Sequence, residues 1–257
     1  MPIQIGDFTV SFIAHTAFLF RTSGGTMLLT EPFYMKGFTW DGQYETYLSP
    51  PDVPAEAIRP CDAVFVSHIH PDHCDPEALL KIHRNTGARI IGPEDVLELL
   101  QSVGIPKADL IRTEDGVGLS VGDIRVTPMC GYDRSFDDKK RPNKFSIIME
   151  SGGTPRTNEW VRGTRLFFSG DCHEVPPRLK GQKVDALFWW PHPDEAKVRQ
   201  FRDEVRFNKL VLMHGDRFQP GRFLCNLDYA KEKARLAPLL PGVEILIPER
   251  IKRLEWI

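Results

Sequence analysis

Short apolar runs rich in β-branched and aromatic residues recur along the chain and predict a protein dominated by strands. Residues 23–25, SGG, predict a hairpin turn between the second and third runs. The predicted strands read FTVSFIA, AFLFRT, TMLLTEP, DAVFVS, ARIIG, DIRVTPM, KFSIIMES, RLFFSG, DALFWWP, KLVLMH and VEILIP.

Amphipathic segments between these strands predict helices in both halves of the chain. Asp75 is expected to cap the first helix, with Pro76 at its first position. The other predicted helices read PEDVLELLQSVG, DEAKVRQFRDEVRF and LDYAKEKARLAPLL. The polar stretch 133–144 is expected to be a surface loop within the same sheet system, so we predict one domain over residues 1–257.

The composition is that of an ordinary globular protein and narrows the choice of partners. Of 257 residues, 41% are hydrophobic and 26% are charged, and the net charge is −2. This balance gives no reason to expect nucleic acid or an acidic membrane as a partner. The five cysteines are spread without a C-x-x-C pair. With no signal peptide and no apolar run near the ~20 residues of a membrane span, we expect a cytoplasmic protein with reduced thiols.

The densest chemistry in the chain follows the strand DAVFVS. His68 and His70 are two residues apart, so in an extended segment their side chains point to the same side. Asp72 and His73 lie on the next turn and aim at a different point. Imidazole and carboxylate are ligands of zinc and its neighbours, so the spacing predicts two adjacent metals rather than one. The alternative is a polar loop whose histidines only form hydrogen bonds.

Two further ligand types follow apolar strands elsewhere in the chain. Asp171 follows RLFFSG, and His214 ends KLVLMH. A side chain just past a buried strand is well placed for a site at one rim of a sheet. Each residue is weak evidence alone, and together with the dense cluster they complete a set for two metals.

These motifs, in order, resemble the metallo-β-lactamase superfamily. The segments that carry the resemblance are SHIHPDH, FFSGD and LVLMH, and the opening FIAHTAFLFRTSGGTMLLTEPF resembles the lactonase-like branch. Further similar segments extend it over roughly residues 12–225. The resemblance implies a mixed α/β fold, an αββα sandwich of two mixed β-sheets with outer helices and the metals at one edge.

The resemblance also implies a ligand set. His68 and His70 would bind the first metal, Asp171 would bridge, and the second metal would be held by Asp72, His73 and His214. The third histidine that many members give to the first metal is absent; Asp133 is expected to replace it, with Cys130 as the alternative. Two divalent ions are expected, manganese or zinc, with iron as a further option.

A second departure from the family pattern lies at the end of the strand TMLLT. The superfamily usually has aspartate where this chain has Glu31. We expect Glu31 to orient a ligand histidine from behind, since carboxylates commonly accept the outer N–H of such histidines.

A dimetal site predicts hydrolysis. It can lower the pKa of water from about 15.7 to about 7, and a metal-bound hydroxide can then attack an ester, lactone, amide or phosphodiester. Asp72 is expected to accept a proton besides binding metal, and His173 to donate one to the leaving group. The simpler interpretation of His173 is an ordinary half-exposed histidine.

Four residues near the predicted ligands are candidates for binding substrate. Arg134 and Arg217 would hold the anionic group of a small molecule, unless they only pair with ligand carboxylates. Trp190 and His192 would line the pocket, although tryptophan is more often a core residue. The sequence is compatible with a homo-oligomer.

Three functions compete on this sequence. A metal-dependent hydrolase of a small anionic substrate is the main prediction. A dimetal iron redox enzyme on the same fold is the alternative, because the ligand set is rich in carboxylates. A nuclease ranks below both, because the chain has no basic stripe or added RNA-binding module.

Overall fold

The computed structural model describes residues 1–40, 42–130, 142–152, 163–191, 193–219 and 227–253. Strands β1 to β9 span Ile3–Ile5, Phe8–Ala14, Ala17–Thr22, Met27–Thr30, Gly37–Trp40, Gln43–Tyr47, Ala63–Phe65, Arg89–Gly92 and Leu110–Arg112. Strands β10 to β17 span Leu119–Val121, Ile124–Cys130, Phe145–Glu150, Arg165–Phe168, Ala186–Trp189, Lys209–Leu212, Phe218–Gln219 and Glu244–Leu246. Helices α1 to α4 span Pro76–Thr86, Glu94–Ser102, Glu195–Glu204 and Tyr229–Leu236.

The strands form two seven-stranded sheets and one small sheet. The first sheet has the order β1-β2-β3-β4-β7-β8-β9 and the second β10-β11-β12-β13-β14-β15-β17. Each sheet begins with antiparallel pairs and ends with parallel pairs. The small sheet has the order β16-β6-β5 and is antiparallel.

The two large sheets pack face to face around an aromatic core. The ring centroid of Phe188 in the second sheet lies 5.2 Å from that of Phe18 and 5.0 Å from that of Phe20 in the first. All three side chains are fully buried. Both ring pairs are edge-to-face, an arrangement that adds to the stabilisation from burial alone.

Helices cover the outer faces of the two sheets. Apolar residues of α1 and α2, such as Leu79 and Val96, share a cluster with the first sheet, and Val198 and Phe201 of α3 share one with the second. The layers are therefore helix, sheet, sheet, helix, and the predicted αββα sandwich is confirmed.

Local signals placed α1 correctly. The Asp75 side chain accepts a hydrogen bond from Ala78 N at 3.1 Å, Pro76 opens the helix, and Gly87 ends it with φ 69°. The strands that sequence reasoning missed are short or lie in the small sheet: β1, β5, β6, β9, β10 and β16. Three-residue strands give no alternating pattern to detect. No helix in the described part of the chain combines the length and apolar character that crossing a bilayer would need.

Candidate metal centre

The predicted ligands meet at one edge of the sandwich because they follow strands of both sheets. His68 lies three residues after β7, while Asp171 and His214 follow β13 and β15. Since β4 runs parallel to β7, and β13, β14 and β15 are parallel, their carboxyl ends lie side by side. Backbone hydrogen bonds join the two halves here, from Phe145 N to Ser67 O at 3.0 Å and from His214 N to His15 O at 3.1 Å.

Four side chains form a tight inner cluster. His73 Nε2 lies 3.0 Å from His214 Nε2, 3.1 Å from Asp72 Oδ2 and 3.0 Å from Asp171 Oδ1. His214 Nε2 lies 3.2 Å from Asp72 Oδ2 and 3.1 Å from Asp171 Oδ1. Two imidazole nitrogens and two carboxylate oxygens therefore converge on one point.

Asp171 faces two groups of histidines with its two oxygens. While Oδ1 contacts His73 and His214, Oδ2 lies 3.2 Å from His68 Nε2 and 3.9 Å from His70 Nδ1. His68, His70 and Asp171 form a second set of donor atoms, all within 4.8 Å of one another. One carboxylate thus stands between two potential metal positions.

The arrangement fits divalent ions better than it fits a hydrogen-bond network. Asp72 Oδ1 is buried without a hydrogen-bond partner among the described residues, and His68 Nε2, although 3.2 Å from Asp171 Oδ2, is not aligned for a hydrogen bond with it. Donors bound to one ion at about 2.1 Å lie roughly 3.0–3.4 Å apart, as the inner cluster atoms do. The donors are imidazole nitrogens and carboxylate oxygens, a set that suits zinc, iron and manganese.

Two of the histidines are oriented by contacts at Nδ1, the ring nitrogen that points away from the cluster, as metal-binding histidines commonly are. Glu31 Oε2 lies 2.7 Å from His73 Nδ1, and Glu31 Oε1 accepts a hydrogen bond from Ser67 N at 3.1 Å. The Ser67 hydroxyl lies 2.8 Å from His68 Nδ1. With Nδ1 engaged in this way, His68 and His73 turn Nε2 toward the cluster. The expected role of Glu31 agrees with this geometry, and Ser67 was not singled out by the sequence.

Burial and charge set opposite protonation preferences across the cluster. Burial lowers the pKa of His68 and lowers that of His70 to about 4, with neighbouring positive groups adding to the effect. Burial alone would also lower the pKa of His73, but Asp171, Asp72 and Glu31 hold it well above its ordinary value. Burial alone would raise the pKa of Asp171, but His73, His214 and His68 hold it well below. These directions favour an ionised Asp171, neutral His68 and His70, and a protonated His73, which would have to release its proton to bind a metal.

The backbone is strained at three residues of this site. Among the described non-glycine residues, positive φ occurs at His15 (55°), Glu31 (38°) and His214 (63°). Such conformations cost about 1–3 kcal/mol each and persist where surrounding structure imposes them. All three residues carry side chains of the cluster or in contact with it.

Trp190 and His173 lie beside the cluster. The Trp190 ring stacks on His214, with centroids 4.4 Å apart and planes at 12°. His173 packs on Trp190 with centroids 4.5 Å apart, and its Nδ1 lies 3.2 Å from the Trp190 carbonyl oxygen. Trp189, by contrast, is fully buried in the core under α3.

The remaining predicted residues are not gathered into the cluster. Arg217 is exposed, and no hydrogen bond or ion pair joins its guanidinium to the described cluster residues. Cys130 packs against the core between the sheets and belongs to none of the donor groups found among the described residues. Asp133, Arg134 and His192 lie outside the described residues.

Lys144 is a charged neighbour that sequence reasoning missed. Its Nζ lies 3.9 Å from Asp171 Oδ2, and its side chain is 18% exposed. It shares a small cavity of about 10 Å³ with Ser67, His68 and Asp171. Lys144 precedes β12, whose start, rather than its end, lies at this edge, so a search of strand ends could not find it.

Comparison with known proteins agrees with this fold. A sequence model of the family described as "Beta-lactamase superfamily domain" matches residues 29–190. The chain belongs to the β-lactamase superfamily, and its sandwich is the metallo-β-lactamase fold.

The chain is also similar to particular proteins of known sequence or structure. It is 28% identical over 123 residues to "Probable L-ascorbate-6-phosphate lactonase UlaG" of Salmonella heidelberg, a match covering 46% of this chain and only 35% of the relative. The structure is similar to Igni18, a metallo hydrolase from Ignicoccus hospitalis, with TM-score 0.60, 17% identity, and 94% and 95% of the two chains covered. It is also similar to CmlA, a diiron β-hydroxylase from Streptomyces venezuelae, with TM-score 0.64, 15% identity, and 97% of this chain but 54% of that chain covered.

Proposed function

We propose that this protein is a metal-dependent hydrolase that acts on a small anionic ester or lactone, with a phosphodiester as the other ester-type substrate. The observation that carries the proposal is the convergence of His73, His214, Asp72 and Asp171 at 3.0–3.2 Å. Membership of the superfamily and the partial match to a lactonase support hydrolysis of an ester-type bond.

Asp171 separates the residues into two sets, each of which would hold one ion. His68 and His70 face its Oδ2, and Asp133 is proposed to complete that first position. Asp72, His73 and His214 gather around its Oδ1. Two divalent ions held there, manganese or zinc, with iron as an option, would supply activated water and would polarise the substrate carbonyl or phosphoryl oxygen.

Protein side chains beside the ions are proposed to accept and donate protons. Asp72 Oδ1, buried and without a hydrogen-bond partner among the described residues, is the proposed acceptor for the proton of the attacking water. His173 is the proposed proton donor to the leaving group. Because the Trp190 carbonyl oxygen can only accept, it fixes the His173 proton on Nδ1, and Nε2 is the nitrogen that exchanges a proton.

The positive charge of Lys144 favours an anionic substrate. Two divalent ions exceed the charge of Glu31, Asp72 and Asp171 by one, and the Lys144 ammonium beside Asp171 adds another positive charge. Even with Asp133 as a fourth carboxylate, the site stays positive. A carboxylate or phosphate of the substrate would therefore be attracted to the first metal position. Arg134 and Arg217 remain proposed helpers in binding it, and Trp190 and His192 proposed walls of the pocket.

The first experiment is metal analysis of the purified protein, followed by a screen of lactones, esters and phosphodiesters with manganese, zinc and iron. On the best anionic substrate, Lys144→Met should lower kcat/KM by about ten- to a hundredfold, as expected for loss of a charge-assisted contact. Lys144→Arg should retain most of the activity. An uncharged analogue should respond less than about threefold to either change. Equal losses on both substrates would contradict an anionic substrate.

Oxygen-dependent dimetal chemistry is the second candidate. The similarity to CmlA, a diiron protein, and the carboxylate-rich cluster favour it. Oxygen uptake by the iron-loaded protein, without turnover of any ester or lactone, would replace the hydrolase proposal.

A further inference from the structure

His15 occupies a position in the fold where glycine would be the ordinary residue. It lies with Thr16 in the tight turn between β2 (Phe8–Ala14) and β3 (Ala17–Thr22), and its φ is 55°. Turns this short that need positive φ usually take glycine or asparagine. A histidine held in this conformation indicates that its side chain has a task.

The side chain and the backbone of His15 contact two different residues of the inner cluster. Nε2 lies 3.2 Å from Asp72 Oδ2, and the carbonyl oxygen accepts the hydrogen bond from His214 N at 3.1 Å. The ring packs 4.2 Å from the His214 ring, centroid to centroid, and is fully buried. Phe33 and Phe218 flank its other sides, with centroids 5.9 Å and 5.8 Å away.

The hydrogen bonding of His15 differs from that of the ligand histidines. His68 and His73 engage Nδ1 with Ser67 and Glu31, which leaves Nε2 for an ion. His15 Nδ1 is buried and has no hydrogen-bond partner among the described residues. If His15 bound metal through Nε2, its proton would sit on Nδ1 as an unpaired buried N–H, which folded proteins rarely keep. With the proton on Nε2, His15 donates to Asp72, a carboxylate that can only accept.

We propose that His15 is a positioning residue: it donates Nε2–H to Asp72 Oδ2 and holds His214 through its carbonyl, so that both are aimed at the second metal, without itself binding the ion. The inference rests on the two-metal site of the proposed function. The contacts of His15 are with Asp72, His73 and His214, the residues proposed for the second metal, so its influence falls on that metal.

A matched pair of amide variants separates the roles of His15. Both keep a polar side chain, but the amide nitrogen of His15→Gln falls near the position of Nε2, whereas that of His15→Asn stops near Nδ1. Asparagine also tolerates positive φ, so His15→Asn should fold. Zn²⁺ affinities are measured by competition with a chromophoric chelator, and the fully loaded Co²⁺ forms are compared by absorption.

The wild-type protein should bind two ions. In His15→Asn one of them should bind about ten- to a hundredfold more weakly, the usual effect of losing such an outer partner. His15→Gln should recover most of that loss, and the Co²⁺ absorption of both loaded variants should keep the wild-type coordination.

Two results would overturn the positioning role. If His15→Asn bound both ions as the wild type does, Asp72 would not need His15. If both variants lowered the Co²⁺ coordination number, His15 would be a ligand. Because these readouts need no substrate, a protein that binds two ions but hydrolyses nothing counts against the hydrolase proposal alone. A wild-type chain that takes up only one ion counts against both.

Discussion

At the scale of single residues, the centre is defined by carboxylates that hold imidazoles from both sides. His73 meets Glu31 at Nδ1 and the inner cluster at Nε2, and Asp171 divides its oxygens between two sets of histidines. The same buried carboxylates would be costly without cations or donors around them. Removing any one of these paired carboxylates or imidazoles should therefore destabilise the arrangement of the site.

Glu31→Gln should weaken the binding of the second metal ion by about ten- to a hundredfold. Glu31 accepts from both Ser67 N and His73 Nδ1, but glutamine has one acceptor oxygen and leaves one of these donors unpaired. Chelator competition measures the loss. Glu56→Gln, at an exposed residue paired with Lys81, is the matched control and should not change affinity. A similar loss in both variants would mean that Glu31 has no specific role.

Thiol labelling should separate Cys130 from the deeper cysteines. Burial raises the pKa of Cys61 and Cys74 to about 12, so their reactive thiolate is scarce at pH 8. Cys130 is only half-buried and should react faster with iodoacetamide, read by mass spectrometry. Zinc loading should leave its rate unchanged, because the thiol packs against the core. Protection by zinc would make Cys130 the missing ligand in place of Asp133.

At the scale of elements, the loop after β7 is held on both sides of the metal motif. Asp75 caps α1 through Ala78 N, and its other oxygen accepts from Tyr34 N at 2.9 Å. This second bond connects the segment that follows Glu31 to the one that follows His73. One side chain thus couples a helix end to both loops of the site.

Asp75→Ala should therefore cost more than loss of a helix cap alone. We expect about 2–3 kcal/mol from a lost cap and a second lost hydrogen bond, measured by urea unfolding of the metal-free protein. Asp228→Ala removes the exposed cap of α4, where the carboxylate accepts from Ala230 N and Lys231 N, and should cost about 1 kcal/mol or less. Equal costs would show that the Tyr34 contact adds nothing.

At the scale of the whole molecule, the fold and the metal centre are stabilised by different sets of residues. The core between the sheets is aromatic and aliphatic, while the cluster sits at one edge of the sandwich. A core of this size does not need a metal to fold, unlike a small zinc domain.

Substitutions in the centre and in the core should therefore have opposite effects. His70→Ala, at a side chain 34% exposed, should abolish activity and weaken metal binding while changing the metal-free unfolding free energy by less than about 0.5 kcal/mol. Asp171→Ala should likewise remove activity without unfolding the protein. Phe188→Ala should cost about 3–5 kcal/mol yet retain metal at low temperature. If His70→Ala unfolded the chain, the centre would be part of the core.

The sequence by itself determined the features that are local along the chain. Strand runs, the Asp75 cap and the density of ligands after DAVFVS are visible in short windows, because side-chain direction and capping depend on near neighbours. Together with Asp171 and His214 at other strand ends, they predicted a two-metal site at one rim of a sheet, and the structure brings these residues together. The sandwich itself was predicted from the resemblance to the metallo-β-lactamase superfamily, not from the local patterns.

Only the tertiary structure decided which distant residues meet there. His15 reaches Asp72, Lys144 reaches Asp171, and Trp190 stacks on His214, contacts between segments 57, 27 and 24 positions apart. Cys130, the alternative to Asp133 as a ligand, is half-buried and packs against the core between the sheets. The reason is physical: such contacts are set by how the two sheets pair and twist together, and no local pattern of polar and apolar residues encodes that register.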